Sequence, residues 1–152
     1  MTPVHDPIID PDAIPERLPE WIRDHLRRYV TTDGVDGHLW RGVPTLLLRT
    51  VGRRSGQPLV LPLIYGRDGD AFVVVASKGG APAHPAWYLN LLEANEVAVQ
   101  VADRRFRALA RTADPDEHAR LWPRMVEIWP DYAEYQSRTT REIPIVLLTP
   151  LT

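Results

Sequence analysis

The N-terminal part of the chain contains a segment with the residue spacing of an amphipathic helix. The positions that share its buried face are Trp21, Ile22, His25, Leu26 and Tyr29. Pro15 or Pro19 opens this helix, since proline suits a first helical turn. We expect the helix to pack on the sheet of its own domain. Residues 1–14 contain three prolines and three aspartates and are predicted to form an irregular tail.

The next segment alternates apolar runs with turn residues and predicts strands. Three runs have the length of a strand, at residues 44–51, 57–66 and 71–77. The Asp68-Gly69 pair before the third run is typical of a tight hairpin, so we expect an antiparallel meander. Pro58 and Pro62 lack amide donors, which predicts an edge strand, a bulge or a barrel rim for the second run.

The second half of the chain mixes helices with further strands. A helix with proline in its first turn is predicted from His84 to about Asn95. Residues 97–101 and 105–112 flank a turn and predict a second hairpin. Asp114 is expected to cap a further helix, because Glu117 follows it at the spacing that lets both side chains bind free amides.

A shorter helix at 131–138 and a strand at 143–149 complete the predicted elements. Six strands, mostly joined as hairpins with helices between pairs, do not alternate as βαβ units do. The pattern therefore predicts an α+β fold in which a small, mostly antiparallel barrel carries helices on its outside. A chain of 152 residues suits one such domain, which we place at residues 15–152.

Charge is unevenly distributed along this acidic chain. The net charge is −2, yet residues 37–92 carry six basic side chains against two acidic ones. A cationic middle favours a small anionic ligand over nucleic acid, which the acidic flanks would repel. Of the 18 basic residues only Lys78 is a lysine, and a single compact ammonium suggests a specific use.

Several chemistries are excluded by what the sequence lacks. It has no cysteine, and its five histidines show no paired ligand spacing, so neither a disulfide nor a metal site is predicted. Nucleotide-binding, hydrolase and zinc-protease motifs are also absent, so an enzyme of this kind would take its chemistry from a cofactor. The predicted location is cytoplasmic, with a peripheral position at the inner face of the cell membrane as an alternative.

Two glycine-edged loops could bind the anionic part of a cofactor. Gly52–Gly56 encloses two arginines and a serine, and a solvated hairpin tip is the alternative interpretation. Ser77–Gly80 combines a hydroxyl, an ammonium and two glycines. Trp87 and Tyr88 open a helix whose amino end favours anions, with core packing as the alternative. An aromatic group could wall a flat pocket or pack in the core: Trp122, Trp129, Tyr132 and Tyr135.

These loops belong to a set of segments that together carry a family resemblance: Thr50–Pro58, Ala76–Gly80, His84–Leu91, Pro130–Ser137 and Ile143–Val146. In this order they resemble the deazaflavin-dependent nitroreductase family, actinobacterial reductases that use the deazaflavin coenzyme F420. The resemblance spans about residues 40–150. It implies a split β-barrel of the FMN-binding type, which agrees with the barrel predicted above.

The resemblance also implies which residues bind coenzyme F420. Arg53, Arg54 and Ser55 would contact its phosphate and glutamate tail. The rest of the cradle would consist of Val60, Leu61, Pro62, Leu63, Val75, Ala76, Ser77, Lys78, Gly79, Gly80, Ala86, Trp87, Tyr88, Asn90 and Tyr132. Leu59, Leu61 and Ile64 stand where relatives often carry basic or polar residues, so weaker tail contacts are expected there.

On the acceptor side, the resemblance implies that Trp129 and Tyr135 bind the substrate and that Ser77, Tyr132 and Tyr135 are catalytic. The implied reaction is hydride transfer from reduced F420 to a quinone, an enone or a nitroaromatic compound. An FMN-dependent reductase and a non-catalytic carrier of deazaflavin or quinone stay open as alternatives. The expected partner is a small-molecule acceptor, with no nucleic acid and at most weak membrane association, and the chain is expected to be a monomer or a homodimer.

Overall fold

A computed structural model describes residues 7–151 and shows an α+β architecture. Its helices are α1 (Glu20–Thr31), α2 (Ala86–Glu93), α3 (Pro115–Ile128) and α4 (Asp131–Ser137). Its strands are β1 (Leu39–Trp40), β2 (Val43–Val51), β3 (Pro58–Ile64), β4 (Gly66–Asp68), β5 (Ala71–Val75), β6 (Glu96–Val101), β7 (Arg104–Thr112) and β8 (Ile145–Pro150). A short 3₁₀ turn, Lys78–Gly80, follows β5.

The eight strands found within residues 7–151 form one antiparallel sheet. Its order is β1-β2-β6-β7-β8-β5-β4, and β3 pairs with β2 outside this path. The sheet curls into an open half-barrel with α1, α3 and α4 on its outer face and α2 over its interior, which confirms the predicted α+β split barrel. Six of the strands match predicted ones, whereas β1 and β4, with two and three residues, are additional.

The predicted meander is correct for its first pair and wrong for its third strand. β2 and β3 pair antiparallel along their length, with Leu47 opposite Pro62. β5 pairs instead with β8 and, across a two-residue turn at Gly69-Asp70, with β4. The prolines of β3 account for the difference, because a strand without these amide donors cannot sustain a second ladder. β3 lies at an edge, one of the three positions predicted for it.

Successive residues of β2 point to opposite sides of the sheet and bury different apolar clusters. Leu46 and Leu48 face the barrel interior, which α2 covers with Trp87. Leu47 faces outward and packs beneath Leu26 of α1. On another part of the outer face, α3 and α4 cover β5 and β8 in a third cluster, which includes Leu121, Met125, Tyr132 and Ile143. This last cluster holds α4 close to the end of β5.

Residues 7–14 contain neither helix nor strand, yet they pack against the domain. Ile8 and Ile14 are buried beside α1, and the Arg49 guanidinium donates to the Ile8 carbonyl oxygen at 3.1 Å. Residues 1–6 of the predicted tail lie outside the described residues. The division into a tail and one domain therefore stays a prediction.

The helices begin at the predicted starts or, for α2 at Ala86, two residues later. α1 starts directly after Pro19, and α3 has the predicted cap, since the Glu117 amide donates to Asp114 Oδ1 at 2.9 Å and Glu117 Oε1 accepts from the Asp114 amide at 3.0 Å. Among residues 7–151, no helix combines the length and apolar composition that crossing a bilayer requires.

Candidate active site

A cavity of about 970 Å³ lies where α1, the β1–β2 hairpin, β3, the end of β5, α2 and the α3–α4 junction meet. Twelve of the predicted site residues line it: Leu61, Pro62, Leu63, Val75, Ser77, Lys78, Gly79, Ala86, Trp87, Trp129, Tyr132 and Tyr135. They come from four separate segments of the chain. The fold therefore gathers most of the predicted site around one space.

The other predicted site residues do not line the cavity: Arg53, Arg54, Ser55, Val60, Ala76, Gly80, Tyr88 and Asn90. Val60 is buried on the α1 side of the sheet. The Tyr88 hydroxyl shares a hydrogen bond of 2.8 Å with Thr112 Oγ1, and its ring packs in the interior core, as the core-packing interpretation expected. These two side chains support the cavity wall from behind.

The 3₁₀ turn after β5 has an unusual backbone. Lys78, Gly79 and Gly80 have φ values of 46°, 62° and 82°, so three consecutive residues are left-handed. Such a backbone is uncommon for a residue with a side chain and is often found at functional sites. A Cβ at Gly80 would collide with the Tyr135 carbonyl oxygen, so glycine lets the turn approach α4 closely. The turn thereby places Lys78 at the cavity.

Arg141 holds this turn from behind, and no sequence pattern indicated it. Its guanidinium donates to the carbonyl oxygens of Ala76 at 3.2 Å, Ser77 at 2.7 Å and Ala81 at 2.8 Å. It also contacts His84 Nδ1 at 3.1 Å. Burial lowers the pKa of Arg141, and burial together with the nearby guanidinium lowers the pKa of His84. The imidazole is therefore neutral at pH 7 and accepts this hydrogen bond.

The positive charge at this end of the cavity is not neutralised within the described chain. Neither Arg141 nor Lys78 forms an ion pair with a carboxylate of residues 7–151. The first amides of α2, at Ala86 and Trp87, lie at the same cavity. Two cations and a helix amino end favour an anionic group such as a phosphate.

The predicted basic loop between β2 and β3 is tied to α2. The Arg53 amide and guanidinium donate to Asn90 Oδ1 at 3.2 and 3.1 Å, and Asn90 Nδ2 donates to Thr50 Oγ1 at 3.2 Å. Asn90 is buried, so its amide serves to hold the loop. Leu59 and Leu61 face the same side of β3 and lead from this loop to the cavity.

Tyr132 and Tyr135 meet at the cavity, as their spacing predicted. Their ring centroids are 6.1 Å apart at an interplanar angle of 74°. Burial, and secondarily Tyr135, raises the pKa of Tyr132, so its hydroxyl stays protonated well above neutral pH. Within residues 7–151, the Tyr132 hydroxyl has no hydrogen-bond partner. The protonated hydroxyl of a side chain that lines the cavity is thus left free to donate to a ligand.

Three tryptophans form an aromatic wall along the cavity, and the sequence did not predict that they lie together. Trp21 stacks on Trp40 with centroids 6.1 Å apart, and Trp40 contacts Trp129 at 5.3 Å. Trp129 Nε1 donates to the Tyr135 hydroxyl at 3.5 Å. We call Trp21, Trp40 and Trp129 the indole row. The glycine in Trp40-Arg41-Gly42-Val43 could have indicated a tight hairpin, and this hairpin is what places Trp40 at the cavity.

The residues around the cavity fit a flat ring with an anionic tail. Leu61, Leu63 and Val75 provide apolar surface, and Lys78, with Arg141 behind its turn, provides positive charge at one end. Neutral hydroxyls from Ser77 and Tyr132 lie beside them. The described residues contain no cluster of metal ligands. These features match the chemistry of a phosphate-bearing redox cofactor.

Comparison with known proteins decides the family. The family model described as F420H(2)-dependent quinone reductase matches residues 21–150. The chain belongs to this family. The reductase is 44% identical over 132 residues to an F420H(2)-dependent quinone reductase of Mycobacterium tuberculosis, covering 84% of this chain and 89% of the relative.

Solved structures agree with this assignment. A structure titled as an F420-H2 dependent reductase is 38% identical to the reductase, covers 69% of this chain and 93% of its own, and has a TM-score of 0.64. Another, described as a domain-swapped dimer, is 37% identical, covers 82% of this chain and 92% of its own, and has a TM-score of 0.67. The predicted resemblance is confirmed: the reductase is an oxidoreductase dependent on reduced F420, with a small-molecule acceptor.

Proposed function

We propose that the cavity binds reduced coenzyme F420 beside a quinone and holds the two rings in contact for hydride transfer. The observation that carries this proposal is Tyr132, a buried side chain whose protonated hydroxyl forms no hydrogen bond with the described chain, in a cavity that Lys78 also lines. When bound, reduced F420 supplies the hydride. Enones and nitroaromatic compounds are further acceptors of the same electronic type.

The cationic end of the cavity binds the phosphate of the cofactor in this proposal. Lys78 and the first amides of α2 donate to it, and Arg141 adds charge while fixing the turn. Arg53, Arg54 and Ser55 lie in the loop that precedes β3 and bind the glutamate tail. Because these contacts are remote from the reacting ring, they contribute affinity and positioning.

The apolar walls orient the two rings and exclude water. Leu61, Leu63 and Val75 form one side of the ring site. Trp129 and Tyr135 bind the acceptor on the other side, and the Tyr132 hydroxyl donates a hydrogen bond to the oxygen on which negative charge develops. Ser77 offers a second hydroxyl for the same oxygen. Aligning rings and donors in advance is the catalytic contribution of the protein.

Binding and turnover experiments separate this function from its alternatives. The protein is titrated with F420 and, separately, with FMN, and is then supplied with reduced F420 and a quinone, an enone or a nitroaromatic compound. We expect F420 binding and the highest kcat/KM with the quinone. FMN binding without F420 binding would support the FMN alternative, and F420 binding without any turnover would support the carrier.

We also propose that the reductase forms a homodimer, which is supported by the related structure described as a domain-swapped dimer. Light scattering at several protein concentrations tests this, and a monomer mass throughout would contradict it. The cytoplasm is the proposed compartment because the chain lacks cysteine. Weak peripheral membrane association stays a prediction, to be tested by vesicle sedimentation.

A further inference from the structure

The two arginine or lysine side chains that line the cavity share an uncommon backbone conformation. Arg41 has φ 50° and Lys78 has φ 46°, and only two other non-glycine residues of the described chain, Asp33 and Ala102, have positive φ. Non-glycine residues adopt left-handed backbone at an energetic cost, and such positions concentrate at binding sites. Lys78 is accounted for by the cofactor phosphate, whereas Arg41 has no role in the proposed function.

Arg41 occupies a turn position that turn chemistry alone would not give to arginine. Trp40 pairs with Val43, so Arg41 and Gly42 form the two-residue connection between β1 and β2, with φ values of 50° and 82°. Two successive positive φ values define the type I′ turn, whose first position favours Asn, Asp or Gly. An arginine here adds a long cationic side chain at a cost to the turn.

The Arg41 guanidinium is held at the cavity with its donors available. Its Cζ lies 4.7 Å from the centroid of the Trp40 ring, which is a cation–π contact. Arg41 is exposed and lines the cavity, and it forms no ion pair or hydrogen bond through its side chain with residues 7–151. With no such partner in the described chain, the N–H groups of this guanidinium are free for an anion.

Contacts within the indole row place Arg41 on the acceptor side. Trp40, which carries the guanidinium, contacts Trp129, and Trp129 donates to the Tyr135 hydroxyl. Trp129 and Tyr135 are the residues to which the proposed function assigns the acceptor. The indole row therefore forms an aromatic surface that leads from the acceptor position to a free cation.

We propose that Arg41 and the indole row form a subsite for the anionic substituent of a planar aromatic quinone. The ring of the acceptor lies along Trp40 and Trp129, and a carboxylate or sulfonate on it pairs with the Arg41 guanidinium. This inference rests on the proposed function, because it names the class of acceptor for the same cavity. In this proposal Lys78 binds the cofactor, and Arg41 selects the substrate.

Matched acceptors test the subsite. A neutral naphthoquinone and the same ring with a sulfonate are compared in the wild type, Arg41→Gln and Arg41→Lys, as the ratio of their kcat/KM values. Taking this ratio for each variant cancels the difference in reduction potential between the quinones. We expect Arg41→Gln to lower the sulfonate-to-neutral ratio about tenfold and Arg41→Lys to restore part of it.

Arg67→Gln is the matched control. Arg67 also stacks on an aromatic ring, with its Cζ 4.0 Å from the Phe72 centroid, but it does not line the cavity. The ratio should stay at the wild-type value in this variant. Equal losses with both quinones in Arg41→Gln, or the same change in Arg67→Gln, would overturn the subsite.

A binding measurement keeps the subsite separate from the proposed function. A naphthalene sulfonate and a neutral naphthalene alcohol, neither of which accepts hydride, are titrated against the protein by tryptophan fluorescence. We expect tighter binding of the sulfonate, lost about tenfold in Arg41→Gln. A preference for the sulfonate without any quinone turnover would support the subsite and reject the reductase function. Quinone turnover without this preference would support the reductase function and reject the subsite.

Discussion

The Arg141 guanidinium donates a hydrogen bond of 2.7 Å to the carbonyl oxygen of Ser77, the residue that precedes the Lys78 turn. Arg141 precedes β8, and Ser77 follows β5, its neighbour in the sheet. The contact therefore fixes the geometry of a ligand-facing turn from its rear side. Because the side chain is half-buried and also bonds Ala76, Ala81 and His84, removing it affects the turn as a unit.

We predict that Arg141→Met weakens F420 binding by about tenfold or more and lowers the free energy of unfolding by about 2 kcal/mol, because several buried carbonyl oxygens lose a charged donor. The pKa of His84 should rise toward its ordinary value of 6.5, since the neighbouring cation is gone. Calorimetry, denaturant unfolding and an NMR titration of His84 measure the three effects.

Arg124→Met is the control for Arg141→Met. Arg124 Nη2 donates to the Arg67 carbonyl oxygen at 2.7 Å, but on the exposed surface of α3. This variant should leave F420 binding and the pKa of His84 unchanged. Burial, the larger cause, still lowers the His84 pKa in Arg141→Met, so a pKa equal to that of the wild type would contradict the assigned electrostatic coupling.

Asn90 is predicted to act through Arg53 rather than by direct contact with the cofactor. Asn90→Leu removes the acceptor shared by the Arg53 amide and guanidinium, so the loop loses its attachment to α2. We expect the Kd for F420 to rise about tenfold, with kcat little changed at saturating cofactor. A double-mutant cycle with Arg53→Ala measures the coupling, and additive effects on Kd would contradict it.

The parts of the fold encoded in short segments could be predicted from the sequence. The Asp114 cap, the tight turn that follows Asp68 and the β2–β3 pairing depend on neighbouring residues, and all three are present. The position of β5 in the sheet could not be predicted from the sequence, because its partner β8 lies about 70 residues further along the chain. Local pattern carries no information on which distant strand becomes a neighbour.

The same distinction applies to the site. Ser77, Lys78 and Tyr132 occur in recognisable segments, and the cavity gathers them. Arg141 and Trp40 gave no signal, because their roles arise from contacts across the fold: the guanidinium meets carbonyl oxygens about 60 residues away, and the indole meets Trp129. Trp21 fitted the buried face of α1, yet it is 56% exposed and forms part of the cavity wall.

Tyr132→Phe is predicted to lower kcat by about 10²-fold while leaving the Kd for F420 unchanged. The phenyl ring preserves the packing beneath α4, and only the free hydroxyl is lost. Because the pKa of Tyr132 is raised, its ionisation should not reduce kcat in the wild type up to pH 10. Tyr65→Phe is the control, since that hydroxyl contacts His38 Nε2 at 2.9 Å outside the cavity. Equal kcat for Tyr132→Phe and wild type would remove Tyr132 from catalysis.

Arg41→Asn is predicted to stabilise the protein while impairing its use of anionic quinones. Asparagine at the first position of an Asn-Gly type I′ turn tolerates φ near 50° better than arginine, so the free energy of unfolding should rise by up to about 1 kcal/mol. Denaturant unfolding measures this change. Arg41→Gln, which keeps the unfavourable backbone, should show no such gain. A loss of stability in Arg41→Asn would mean that the cation–π contact with Trp40 outweighs the backbone term.

Glu117→Gln is predicted to destabilise the protein at neutral pH and to matter less as the solution is acidified. Arg111, and next the Asp114 amide, hold the pKa of Glu117 at about 2, below its ordinary value of 4.5. A depressed pKa in the folded state means that the ionised carboxylate stabilises the fold fully above pH 4.5, and that this contribution is lost as the pH falls toward 2. Unfolding curves of the variant and the wild type should therefore differ at pH 7 and converge at low pH.

Glu134→Gln serves as the control, because it breaks an exposed ion pair with Arg138, whose N–O distance is 2.6 Å. A gap between Glu117→Gln and wild type that stays constant with pH would show that the carboxylate charge is not the source of the stability.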